Sequence, residues 1–457
     1  MKRRRTIHRW APLACAAALS TLLGGGRADA DPRRGSEAER LHHAGVRCMD
    51  VIERNACAIT NFEALLEVET RERELVTDAM LRLIKLYRDE GRSDDVGGLL
   101  RLFWDVGMKH DAQGHVPWST RFIPTELDML MALNVEQMSG SAVIKALHPD
   151  ARDSMLTCDK ARRKTIESRQ EIRRARRKAS KDGRELWDVV QADREKQAER
   201  QSKRTESRAS GDEGPIFSEA ICPIMRTLGK TDLLAMRRLM GASNHHDSRR
   251  SVAIAEIPGL DALLAQAETS GRITRVATDH YTVPEVEYAG GPVHLLKLDS
   301  EELTMVPAGL VDGMLAARGK RGRRMNRELN GLVGKVPKDS GFFFVMTQAA
   351  MREMGFSGVK RSTRGFIEAM LPKPKGLQVA AMFGAELGLF TRLPTDTPGK
   401  GRMLVGLANV FLAKASEDDA EAERWLEGLD IAESNDRSAI LASYLISPQR
   451  LEKLMME

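Results

Sequence analysis

Aromatic side chains are scarce in this 457-residue chain, at 5% of the total, and after residue 30 no apolar run approaches the roughly 20 residues that cross a bilayer. The mature chain is therefore expected to hold no membrane span. Catalytic signatures are missing as well. His-Glu-x-x-His does not occur, Gly355-Phe356-Ser357-Gly358 lacks the spacing of a nucleophile elbow, and Gly331-Leu332-Val333-Gly334-Lys335 lacks that of a phosphate loop. No Cys-x-x-Cys is present, which removes the usual zinc frameworks, and no cofactor is expected. Methionine is plentiful at 22, but Met129, Met131, Met236 and Met240 lie among Leu and Ala in apolar runs, where Met fills cores.

The first thirty residues read as an export signal. Lys2, Arg3, Arg4, Arg5 and Arg9 precede an apolar run from Ala11 to Leu23, and Ala28-Asp29-Ala30 supplies a small-x-small cleavage site. Cleavage after Ala30 would deliver the chain to the periplasm or the exterior. Pro12 and the short apolar run before Cys15 argue against a lipoprotein. Removing residues 1–30 also changes the charge, because they hold six basic groups and one acidic group of a chain whose net charge is +6. What remains is near +1.

That small surplus is unevenly placed. Lys160 to Ser210 contains 18 Lys and Arg against 9 Asp and Glu, so everything else in the mature chain sums to about −8. The large apolar residues of this segment are Ile166, Ile172, Leu186, Trp187, Val189 and Val190, too few for a core. Lys181-Asp182-Gly183 is a turn signal between two stretches that could each be helical; a disordered linker is the other reading. The densest cations are Arg173, Arg174, Arg176, Arg177 and Lys178. With Trp187 as the lone aromatic, nucleic acid is a poor partner, and an envelope protein, an anionic polymer or a lipid headgroup surface is a better one.

Four cysteines survive maturation: Cys48, Cys57, Cys158 and Cys222. An even number in an exported chain favours disulfides over buried thiols, and three pairings are possible. The local ones, Cys48 with Cys57 and Cys158 with Cys222, are the most economical. The second would close the charged segment at its base.

Helical periodicity fills Glu39 to about Lys109, with Leu75, Ala79, Leu83, Leu86 and Tyr87 followed by Val96, Leu99, Leu100 and Phe103. Leu83, Tyr87 and Gly91, with Val96 at a small-residue position, give Met80 to Gly107 a hairpin that resembles a tetratricopeptide unit, although Ile84 stands where that family has Gly or Ala. From Pro124 the grammar changes to strands that lead into helices. Leu127 to Leu133 reads as a strand, Leu233 to Ala242 with Ser251 to Ile257 as a hairpin, and His280 to Tyr288 with Val293 to Leu298 as another. Gly341 to Met346 reads as a buried strand, Leu377 to Phe383 with Ala385 to Leu393 as a pair, and Ala439 to Ile446 as a last strand. Ser416 is placed to cap a helix carrying Trp425 and Leu429.

Hairpins feeding helices imply α+β: an antiparallel sheet with helices on one face, preceded by an all-helical region and interrupted by the charged arm. The expected organisation is a signal at 1–30, a helical region at 31–122 and an α+β domain at 123–457 with the arm at 159–214. Gly259-Leu260-Asp261-Ala262-Leu263-Leu264-Ala265 and Gly309-Leu310-Val311-Asp312-Gly313-Met314-Leu315-Ala316 match with one insertion, which suggests duplicated units. This layout resembles uncharacterised exported α+β proteins of large-genome bacteria, a resemblance that implies no functional residues.

Two histidine clusters, His42-His43 and His245-His246-Asp247, read as solvated, the latter as a hairpin tip. The expected function is an exported, non-catalytic interaction or scaffold protein of the cell envelope. The alternatives are a small-molecule or lipid carrier and an envelope enzyme, for which Asp279, His280, Tyr281 and His294 are the best-placed candidates.

Overall fold

The structure is a computed structural model, and it describes residues 36–68, 72–109, 122–158, 217–247, 250–288, 291–318, 325–337, 340–355, 374–395, 402, 405–406 and 429–456. The chain divides into two compact units, one ending at Thr70 and one beginning at Arg71.

In the first unit, α1 (Glu37–Asp50) starts at a capping box: Ser36 Oγ accepts from the Glu39 amide, and the Glu39 carboxylate accepts from the Ser36 amide. It packs on α2 (Asn55–Glu67), and Cys48–Cys57 closes the turn between them with the Cα atoms 5.7 Å apart. The helices meet closely at Gly45, where a Cβ would lie 2.5 Å from the ring of the buried Phe62. Glycine is required there because the ring already fills the space.

The second unit opens with an antiparallel helix pair, α3 (Arg73–Asp89) and α4 (Ser93–Lys109), joined at Gly91 in the left-handed conformation. The sequence reading grouped this pair with the helices before it; in the structure it belongs to the unit that holds the sheet.

That sheet has twelve strands among the described residues, all antiparallel to their neighbours. They are β1 (Met129–Asn134), β2 (Arg238–Ser243), β3 (Ser251–Glu256), β4 (Thr274–Ala277), β5 (His280–Tyr288), β6 (Gly291–Lys297), β7 (Glu302–Val306), β8 (Phe342–Thr347), β9 (Gly376–Phe383), β10 (Leu387–Pro394), β11 (Leu429–Glu433) and β12 (Ala439–Ile446). The order is β11-β12-β10-β9-β8-β1-β2-β3-β7-β6-β5-β4. The fold class is α+β.

Helices cover both faces, where the sequence reading placed them on one. Under the first face lie α5 (Val135–Gly140), α6 (Ala142–Lys145), α7 (Pro149–Leu156), α8 (Phe217–Thr227) and α9 (Leu260–Thr269). They form one apolar cluster with Leu239, Ala255, Leu295, Leu303 and Leu387 of the sheet. Three further helices are α10 (Ala308–Arg318) against β6, α11 (Arg327–Val333), and α12 (Gln348–Gly355) against β8 and β9. The last helix, α13 (Pro448–Met456), adds Leu451 to the first-face cluster. On the opposite face of β10, one residue out of phase with Leu389, Phe390 stacks on Phe103 of α4 with ring centroids 4.2 Å apart. Gln378 on the same face of β9 donates to the Leu332 carbonyl of α11. The physical reason is that the central strands are apolar on alternate and on intervening positions, so each face needs cover.

Reading outward from the central pair β1–β8, the two sides repeat one plan: β1, β2, β3, β7, β6 on one side and β8, β9, β10, β12, β11 on the other. Met131 and Phe344, the third residue of each central strand, face one another. Met240 pairs with Ile254 and Gln378 with Arg392, fourteen residues on in each hairpin. A pseudo-two-fold axis therefore passes between Met131 and Phe344. The first half carries an additional hairpin, β4–β5, at its outer edge.

Candidate functional site

In the chain the charged segment lies between α7 and α8, and a cysteine on each side of it joins the two flanks. Cys158 and Cys222 are disulfide-bonded with Cα atoms 5.0 Å apart, both buried beside Ile221, Met225 and Leu228. The Cys158 amide donates to the Thr231 carbonyl at 2.7 Å, and Thr157 forms an antiparallel bridge with Asp232. The segment itself, with Arg173, Arg174, Arg176, Arg177 and Lys178, lies outside the described residues. Cys48 and Cys57 form the other disulfide, so of the three pairings the structure has the two local ones.

Of the four residues weighed for an enzyme, two come together. His280 on β5 and His294 on β6 sit on the same face of neighbouring strands, and His280 Nε2 lies 2.9 Å from His294 Nδ1. That separation is a hydrogen bond whose donor and acceptor are set by the ring tautomers. Burial first, and then the neighbouring His294, push the His280 imidazole below its ordinary value. Tyr281 points through to the opposite face, into the first-face cluster, with the Arg275 guanidinium 5.4 Å from its ring centre. Asp279 occupies a left-handed turn, φ 58°, and its carbonyl accepts from the Lys297 amide.

A different pair was hidden in the sequence. The His245 side chain is buried, 4% exposed, and its Nδ1 is hydrogen-bonded to the carboxylate of Asp128, which is 9% exposed. The same carboxylate accepts from the His245 backbone amide at 3.0 Å. His245 Nε2 is buried without a hydrogen-bond partner among the described residues. Asn244 organises the turn around this pair: its side-chain Nδ2 donates to the Glu126 carbonyl, and its side-chain oxygen accepts from the backbone amides of His246 and Asp247. His246 is exposed and lies over the His245 ring with centroids 3.7 Å apart. The expectation of a solvated hairpin tip holds for His246 and fails for His245, because a carboxylate 117 residues upstream draws the second ring inward. The one sequence signal was Asp128 itself, a lone acid at the start of an apolar strand.

A third polar cluster lies at the other end of the sheet. Buried Arg392 donates to Gln378, and Asp436 accepts from Ser434 and Ser438 in the β11–β12 turn. Among the described residues no group of three His, Cys, Asp or Glu side chains could hold a metal ion, and no helix is long and apolar enough to cross a membrane. No family model matches the sequence, and neither a curated protein nor a solved structure is similar to the chain.

Proposed function

We propose that the chain is an exported, non-catalytic interaction protein of the bacterial cell envelope whose α+β body presents the basic segment 160–210 to an anionic partner. The observation that carries this reading is the clamp at the base of the segment. A disulfide joins the two flanks of the segment, and a strand bridge and a backbone hydrogen bond tie its exit side to residues 231–232, just beyond α8. A segment with twice as many cations as anions, on a body that is otherwise acidic, provides a local electrostatic contact and no general stickiness. Two disulfides suit an oxidising compartment, and the leader at residues 1–30 suits periplasmic or secreted delivery.

The test is co-sedimentation of the mature chain with anionic vesicles and with a soluble polyanion, with and without residues 160–210. Binding that depends on the segment and weakens with salt is expected. Equal binding by the deleted chain would remove the basis of this reading.

A further inference from the structure

The internal two-fold matches one corner of the sheet in the two halves, residue by residue. The Arg237 amide donates to the Glu256 carbonyl at 2.9 Å, as the Lys375 amide donates to the Pro394 carbonyl at 2.7 Å. Next in the chain, the Ile257 amide donates to the Glu301 carbonyl at 2.7 Å, as the Thr395 amide donates to the Ser438 carbonyl at 2.8 Å. Lys375 therefore stands where the first half has Arg237, and Pro394 and Ser438 stand where it has Glu256 and Glu301. Further into the hairpin, Gln378 and Arg392 take the places of Met240 and Ile254.

The backbone is the same and the charge is not. In the first half Arg237 Nη1 lies 2.9 Å from Glu301 and 3.7 Å from Glu256, and Arg238 Nε lies 3.6 Å from Glu256, so two cations meet two carboxylates. In the second half both acids are replaced by neutral residues, and Arg392, 4% exposed, adds a buried cation. Gln378 accepts from Arg392 and donates to the Leu332 carbonyl, which brings the end of α11, with Lys335 just past it, to this corner. Partial burial, then Arg392 and Lys375, lower the Lys335 ammonium below its ordinary value, with Asp436 opposing them. Neither Lys335 nor Lys375 is in an ion pair among the described residues. Setting the Asp436 carboxylate against Arg392 leaves these two lysines without a counter-ion.

Two uncompensated ammonium groups suit one dianion, and lysine binds phosphate as a point charge, without the planar fork that Arg392 commits to Gln378. We propose that this corner binds a phosphate group, free or as a monoester, held by Lys335 and Lys375 and attracted by the buried Arg392. The site belongs to the body and does not depend on segment 160–210.

The mature, oxidised chain would be titrated with sodium phosphate by calorimetry at about pH 8, where a phosphate group is largely a dianion. Sodium chloride would hold the ionic strength constant, and a second arm would sediment the chain with vesicles that carry phosphatidic acid. K335Q/K375Q should weaken phosphate binding about tenfold or more. Ser438→Glu, which places a carboxylate at Lys375 as Glu301 lies at Arg237, should do the same. Changing Arg173, Arg174, Arg176, Arg177 and Lys178 to Gln should leave the calorimetric affinity as it is, which separates this site from the arm. Lysine-dependent binding of inorganic phosphate would support a site for the free ion or a soluble ester. Lysine-dependent sedimentation with the vesicles, without a response to inorganic phosphate, would support a lipid headgroup site. Binding of neither probe would overturn the proposal, and so would equal binding by the wild type, K335Q/K375Q and Ser438→Glu.

Discussion

At Gly376 the backbone takes φ 143°, and a Cβ there would lie 2.7 Å from the Met346 carbonyl oxygen and 2.6 Å from Leu332. Side-chain repacking cannot relieve a clash with backbone, so Gly376→Ala is expected to destabilise the second unit by about 1–3 kcal/mol, read as a lower denaturant midpoint with an unchanged slope. Two titrating residues each contribute to the acid behaviour. Burial, with His294 beside it, holds the His280 imidazole below the ordinary 6.5, so the unfolded chain takes up that proton first as pH falls. Stability is therefore complete above about pH 6.5 and declines below it; His280→Phe should narrow the gap between denaturant midpoints measured at about pH 7.5 and 5.5. Asp436 behaves in the opposite range. Partial burial opposes its ionisation, but hydrogen bonds from Ser438 and Ser434 and the nearby Arg392 hold it down at about 2. Its contribution is present above the ordinary carboxylate value and is lost as pH falls toward 2, and Asp436→Asn should flatten that acid limb of the stability profile.

At the scale of elements, α4 meets the sheet through Phe103, with the buried Trp104 edge-on beside it. Trp104 is 1% exposed, and Phe103 stacks on Phe390. Trp104→Ala is expected to cost about 3–5 kcal/mol, read by denaturant unfolding, with Trp104→Phe costing much less. The strands were largely legible in the sequence because their apolar alternation is local: β3, β6, β8, β9 and β12 stand within a residue or two of where periodicity puts them. Elements at the margins were not. Leu429 belongs to β11, although its periodicity suited the end of a preceding helix, because β11 is half exposed along its length and carries no alternation to read. Edge strand β4 is exposed at all four positions and was invisible for the same reason. Helices α5 and α12 begin directly at the ends of β1 and β8, capped by Asn134 and Thr347, with no loop to announce them.

For the whole molecule, the internal two-fold and the Asp128–His245 pair share one reason for being hidden. Both are relations between residues more than a hundred positions apart, and no local pattern encodes them. The clamp at the base of the arm was legible, because cysteines flanking a segment too polar to fold on its own have an obvious use. Cys158–Cys222 spans 64 residues, and on the chain-entropy estimate its loss costs about 4 kcal/mol. In the proposed function residues 160–210 are the contact surface and the α+β body is their mount. The most direct measurement is the salt dependence of binding to anionic vesicles by the intact, oxidised chain and by a variant with Arg173, Arg174, Arg176, Arg177 and Lys178 changed to Gln. Weaker binding with a shallower salt slope, at unchanged thermal stability, is the expected result. The same affinity and the same slope in both proteins would contradict the account.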